Sequence, residues 1–159
     1  MKLLFHRSYR DLRVSDITRK AAVGRVTFYA HFSSKDELLR TQINRVMIPM
    51  LKACPGSPFL VDCRALFAHV RAAPQLFRAI LSEGEGSGWH VVRDALEVWL
   101  DNLLPTPKPV AGLLPAVLAK RFVVSTLLTI MVHGLQPGAI DSVEAMQHQF
   151  AKLVGTGLS

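Results

Sequence analysis

Apolar side chains recur along most of this chain at intervals of three and four, the spacing of one face of an α-helix. The stretch 14–32 sets the pattern. Ile17, Ala21 and Val23 can seat a first short helix and the turn after it on a core, while Phe28 and Phe32, four apart, share one face of a second. The first helix is predicted over 14–21, and Gly24 serves as N-cap of the second. Ser34-Lys35-Asp36-Glu37 reads as a capping box, with Ser34 bonding forward and Glu37 reaching back to it. The helix that follows carries Leu39, Ile43, Val46, Met47 and Met50 at helical spacing, and Pro49 is expected to kink or end it.

Cys54-Pro55-Gly56-Ser57-Pro58 is the clearest punctuation, and it divides the chain into 1–52 and 59–159. Beyond it the pattern stays helical. Leu60, Cys63, Leu66, Phe67 and Val70 share one face over 59–72, and Pro74 opens a short helix bearing Leu76, Phe77, Ile80 and Leu81. Gly84-Glu85-Gly86-Ser87-Gly88 reads as a flexible connection to a stripe of Trp89, Val92, Leu96, Trp99, Leu100 and Leu103. A Pro-rich loop over 104–109 precedes a helix over 113–134 that is apolar nearly all round. Pro137-Gly138 breaks the chain, and Ser142 caps a last helix with Val143, Met146, Phe150, Leu153 and Val154 on one face. No segment reads as a strand, so the expected class is all-α.

Charge changes the picture at one end only. The net charge is +7, and residues 1–40 hold nine Lys or Arg against four Asp or Glu. A cationic end joined to a nearly neutral apolar body points to a polyanion-binding head on a different kind of module. Arg7, Arg10, Arg13, Arg19, Lys20 and Lys35 can neutralise phosphates there. Two cysteines, Cys54 and Cys63, are too few for a disulfide framework and fit a reduced, cytoplasmic setting. The start of the chain offers no apolar run for a signal peptide, and the apolar segment 122–132 is too short to span a membrane, so no membrane partner is expected.

Candidate catalytic chemistry is thin. His6, His31, His69, His90, His133 and His148 are scattered and form no H-E-x-x-H pattern. Ser125 and Ser142 lack elbow-like surroundings, and the glycine-rich run at 84–88 lacks the Lys-Ser/Thr ending of a phosphate loop. No enzyme, cofactor or metal is expected.

Two short helices alone do not make a DNA-binding unit, but the second carries Thr27-Phe28-Tyr29, then His31-Phe32, then Lys35 and an acidic-Leu38-Leu39 helix start. This run resembles the recognition-helix signature of the tetracycline-repressor (TetR) family of bacterial transcription regulators, and the match extends over 9–39. The resemblance implies an N-terminal helix-turn-helix DNA-binding domain plus a C-terminal helical domain for ligand binding and dimerisation. It also implies a longer first helix, of which 1–7 would be the last turns, with Leu4 and Phe5 supplying its remaining core contacts and Tyr9 packing behind. The family usually has Gly where this chain has Ala22. Should that residue need positive φ, Ala costs about 1 kcal/mol relative to Gly.

By the same resemblance Thr27, Tyr29, His31 and Lys35 touch the DNA backbone, and Ser15 adds a contact. Arg25 suits base readout because its fork fits the O6/N7 edge of guanine, and Val26 and Ala30 suit thymine methyls. One such head makes a small interface, so a homodimer reading two half-sites of double-stranded operator DNA is expected. The resemblance places the dimer contact on the last two helices, where Val124, Leu127, Leu128, Met131, Met146, Phe150 and Leu153 offer apolar surface. It also implies a small-molecule effector, with Phe67, Phe77, Trp89, Trp99, Phe122, Met131 and His133 as candidate lining. A repressor is one reading; a helical dimer that has lost DNA binding and serves as a small-molecule or interaction module is the other.

Overall fold

Asp16 organises the first helix. Its carboxylate accepts the Arg13 N–H at 3.2 Å, and α1 runs Val14–Ala21 as the pattern predicts. The helix ends at Ala22, whose φ of 54° and ψ of 38° are left-handed. This is the conformation in which a Cβ crowds the following carbonyl and glycine is at ease. Gly24 then caps α2, Arg25–His31, and Ser34 caps α3, Lys35–Gln42, by accepting the Glu37 N–H at 3.1 Å. Glu37 itself turns one residue further back than a capping box requires. Its carboxylate accepts both the N–H and the hydroxyl of Ser33, at 2.5 and 2.6 Å, where two donors are on offer instead of one.

The computed structural model describes residues 8–54, 61–82, 87–103, 115–136, 138 and 142–158. The expectations for Leu4, Phe5 and Arg7, for 55–60, for 83–86, for the loop over 104–109, for the helix start at 113–114, and for Pro137 lie outside those residues.

After α3 the helix widens into a π-helical stretch, Ile43–Met47, then tightens into a 3₁₀ turn, Ile48–Met50. Pro49 explains both changes. It has no N–H to give the Arg45 carbonyl, and its ring would crowd that oxygen in a regular helix. No strand is expected beside the punctuation at 54–58, but the chain on either side of it pairs. Lys52–Ala53 (β1) and Val61–Asp62 (β2) form a minimal antiparallel pair, Lys52 opposite Asp62. Gln147 anchors this pair to the last helix, accepting the Cys63 N–H at 2.7 Å and donating to the Val61 carbonyl at 3.0 Å.

Four of the remaining helices follow the apolar stripes closely: α5, Pro74–Leu81; α6, Trp89–Leu103; α7, Ala116–Gly134; and α8, Val143–Gly157, capped by Ser142. The helix expected over 59–72 is shorter: α4, Arg64–Ala72, begins only after β2. α7 packs against α4, α6 and α8, α4 packs against α8, and α6 reaches back to α3. Ser87 and Gly88, expected in a flexible connection, are buried. A Cβ on Gly88 would stand 2.8 Å from Ile80 Cγ2 and 2.9 Å from the Ile80 carbonyl oxygen, so α6 can start this close to α5 only from glycine. One continuous apolar core runs from Tyr9 and Leu12 through Met47, Leu66 and Leu96 to Phe150.

By length and composition α7 could cross a membrane. Its burial of Val123, Val124, Leu127, Leu128 and Met131 against three neighbouring helices accounts for that apolarity as core packing.

Ala22 gives a direct test of the turn. Ala22→Gly should stabilise the protein by about 1 kcal/mol, because relief of left-handed strain outweighs the entropy glycine adds to the unfolded chain. The midpoint of urea unfolding should rise; a fall would mean that Ala22 is not strained.

Candidate nucleic-acid interface

α2 is a seven-residue helix with one anchored side. Phe28 is buried, its ring 5.6 Å from Phe32 and 5.4 Å, edge-on, from Tyr29. The pattern expected Phe28 and Phe32 to pack beneath this helix; Phe28 is buried there, while Phe32, just past the helix end, is half-buried against the Phe28 ring. The other side faces solvent. Val26 is 86% exposed and Tyr29 49%, and Arg25, Thr27, Ala30 and His31 are all exposed. Arg25 and Tyr29, four apart, share one flank; Val26 and Ala30 share the next. Ser15 is half-buried near the start of α1. Of the three residues expected to seat α1 and its turn, Ile17 packs against the core while Ala21 and Val23 stay exposed. Arg10, Arg13, Arg19 and Lys20 are exposed around this surface, with Arg19 3.7 Å from the Asp16 carboxylate.

Lys35 is placed differently from a solvent-facing phosphate contact. Its ammonium donates to the carbonyls of Tyr9, Arg10 and Leu12 at 2.9, 3.1 and 3.1 Å, and it lies 4.7 Å from the centroid of the Tyr9 ring. Lysine has three N–H donors, and all three are engaged on the turn that precedes α1. Its neighbour Asp36 accepts the Tyr9 hydroxyl at 2.5 Å. Burial, reinforced by the Asp36 carboxylate that the hydroxyl serves, pushes the Tyr9 phenol well above its ordinary range. The Tyr9 N–H donates to the Ala79 carbonyl of α5 at 2.9 Å. Tyr9 therefore joins the turn, the start of α3 and the body. Sequence reading expected its packing, but the knot with Lys35 and Asp36 depends on a contact between segments more than twenty residues apart. At the exposed start of α3, the two Ser33 donors hold the Glu37 carboxyl below its usual range.

The candidate pocket residues differ in burial among the described residues. Phe67 and Met131 are fully buried core, Trp89 and Trp99 are half-buried, and Phe122 and His133 are exposed on α7. Phe77 borders a cavity of about 20 Å³ with Leu39, Ile43, His69 and Ile80, room for about one water molecule.

The candidate dimer residues divide in the same way. Val124, Leu127, Leu128, Met131, Met146 and Phe150 are buried within the single chain, because α7 and α8 pack directly on each other, and only Leu153 is exposed. The exposed apolar groups of these helices are Val117, Leu118, Phe122 and Leu153. Phe122 stands so close to Gly157 that a Cβ there would fall 2.5 Å from its ring. Among the described residues no group of three His, Cys, Asp or Glu is gathered as metal ligands would be.

Replacing Lys35 separates its two possible roles. Lys35→Met should lower stability by about 2 kcal/mol through the lost charged hydrogen bonds. The slope of log affinity against log salt for DNA should stay that of the unsubstituted protein. A slope shallower by about 0.9 would instead place a phosphate on Lys35.

The family model for bacterial regulatory proteins of the tetR family matches residues 1–41. The chain is similar to the uncharacterized HTH-type transcriptional regulator YxbF of Bacillus subtilis (strain 168), 51% identical over 37 residues. That match covers 23% of this chain and 10% of the relative's length. No solved structure matches the chain. The family match falls on the cationic end, with α1, the left-handed turn and α2 inside the matched segment. Over residues 1–41 the chain is similar to the tetR family of bacterial regulatory proteins.

Proposed function

We propose that this protein is a cytoplasmic, dimeric transcriptional regulator that represses by binding palindromic operator DNA through α1 and α2 and is released by a small-molecule effector. The observation that carries the DNA reading is the solvent face of α2. A helix of seven residues that buries Phe28 and leaves Val26 86% exposed beside Arg25 and Tyr29 has a surface that none of the described residues covers. In the major groove Arg25 would read a guanine edge, Val26 and Ala30 would meet thymine methyls, and Thr27, Tyr29, His31 and Ser15 would hold the backbone. Lys35 would act through Tyr9, fixing the turn that aims α1. The units 1–52 and 59–159 are then the reading head and the body that carries it.

Dimerisation is assigned to the outer faces of α7 and α8. Leu118 and Phe122, one helical turn apart, stand in line with Ser125 and Thr129, all exposed on α7, and Leu153 is exposed on α8. Such an apolar stripe on two antiparallel helices can pair with its mate as a four-helix bundle. A body held in this way would set the separation of the two heads, and an effector would act by favouring the conformation with the wrong separation.

Anisotropy titration of the protein with the DNA flanking its own gene tests the reading. Affinity should fall steeply with salt and prefer a palindrome; an intact helical dimer that binds no DNA at any salt would support the interaction-module reading instead. Arg25→Ala should cost about 1–3 kcal/mol at one base position. Equal losses on cognate and random DNA would remove its assigned role. Phe122→Glu should convert the dimer to a folded monomer in sedimentation and abolish the preference for two half-sites, whereas an unchanged dimer would move the interface elsewhere.

A further inference from the structure

An open groove of about 370 Å³ lies where α5 meets the end of α7, lined by Arg78, Leu81, Ser82, Val132, Leu135 and Gln136. Its size falls in the range of small-molecule sites, about 300–1,000 Å³. None of the residues singled out by sequence as pocket lining borders it.

Its polar chemistry is concentrated on one side chain. The Arg78 Nε donates to the Leu135 carbonyl at 3.1 Å, and Nη2 donates to the same oxygen. Both bonds leave one edge of the guanidinium, so the end-on edge, with one hydrogen on Nη1 and the second on Nη2, keeps its donors. Among the described residues no carboxylate pairs with this cation. The Leu135 carbonyl belongs to the end of α7, and a guanidinium seated on it offsets the negative end of that helix. Leu81, Val132 and Leu135 supply an apolar wall, and Ser82 and Gln136 add a hydroxyl and an amide.

We propose that this groove binds a small monocarboxylate with a short apolar tail. The planar end-on fork matches a carboxylate, which can accept two parallel N–H bonds. The one cation among the described lining residues matches a single negative charge, and the aliphatic wall takes the tail. A phosphate dianion would leave a charge unmatched. The residue after Arg78 ties the site to the head, since the Ala79 carbonyl accepts the Tyr9 N–H at 2.9 Å. Binding at the groove stands by itself; its use as the effector site rests on the DNA-binding reading above.

Calorimetric titration of the full chain with sodium hexanoate, hexan-1-ol and inorganic phosphate tests the proposal. Hexanoate should bind saturably at one site per chain, and hexan-1-ol and phosphate markedly more weakly. Arg78→Gln should weaken hexanoate about ten- to a hundredfold. Gln136→Trp keeps Arg78 and fills the groove from an exposed position, so it should also lose binding, and it decides the matter if Arg78→Gln does not fold. No saturable binding, hexanoate and hexan-1-ol binding alike, or hexanoate affinity unchanged in the folded variants would overturn the site. Anisotropy with and without hexanoate then separates the two readings. Binding with unchanged DNA affinity supports the groove and counts against effector control through it, while loss of DNA binding only in groove-competent protein supports both.

Discussion

The ammonium of Lys35 is taken partly out of water and given three backbone carbonyls and an aromatic face in exchange. A charge withdrawn from solvent is costly unless its hydrogen bonds are replaced, and here every donor is replaced by an oxygen of one short turn. The exchange works only while Tyr9, Arg10 and Leu12 hold their carbonyls toward a common point. The same ammonium therefore fixes the direction in which the chain enters α1. Asp36 fixes the far end of the Tyr9 ring through its hydroxyl, and Ala79 fixes the Tyr9 backbone. Tyr9 is thus held at three places, and the turn that leads into α1 takes its direction from that residue.

Local signals in the sequence were sufficient for most of the elements. Val14–Ala21, the caps at Ser34 and Ser142 and the opening of α5 by Pro74 all depend on chemistry within a few residues, and the structure has them where the pattern put them. Ala22 is legible for the same reason, since a turn between two short helices needs a left-handed residue whatever its side chain. The π-helical widening at Ile43–Met47 was not, although its cause, Pro49, was plain. Proline announces a disturbance without saying whether the helix will kink, widen or stop.

The site was less legible than the fold, for a geometric reason. α7 has apolar side chains on both faces, so periodicity cannot say which are core and which are surface. Leu127 and Leu128 go inward only because α6 and α8 lie on that side, and Leu118 and Phe122 are left outside by the same arrangement. Lys35 shows the complementary limit. At the start of a helix in a cationic segment a lysine reads as a phosphate contact, and only the fold brings the Tyr9 turn within its reach. The strand pair at Lys52–Ala53 and Val61–Asp62 is too short for any alternation to appear, and it is held by Gln147 from the far end of the chain.

α5 gathers these constraints. It is eight residues long, with Leu76, Phe77, Ile80 and Leu81 seated in the core, so it cannot shift without disturbing its packing. Arg78 reaches from it to the end of α7, and the next residue, Ala79, receives the Tyr9 N–H. The Arg78 side chain leaves the helix radially while the Ala79 carbonyl, in the last turn of α5, points along its axis and is free of an intrahelical partner, which lets one short element hold both body and head. Motion of α7 relative to the head can therefore pass through α5 as well as through α6, which packs on both α7 and α3. Coupling of this kind needs no long pathway, because the two contacts are a single peptide unit apart.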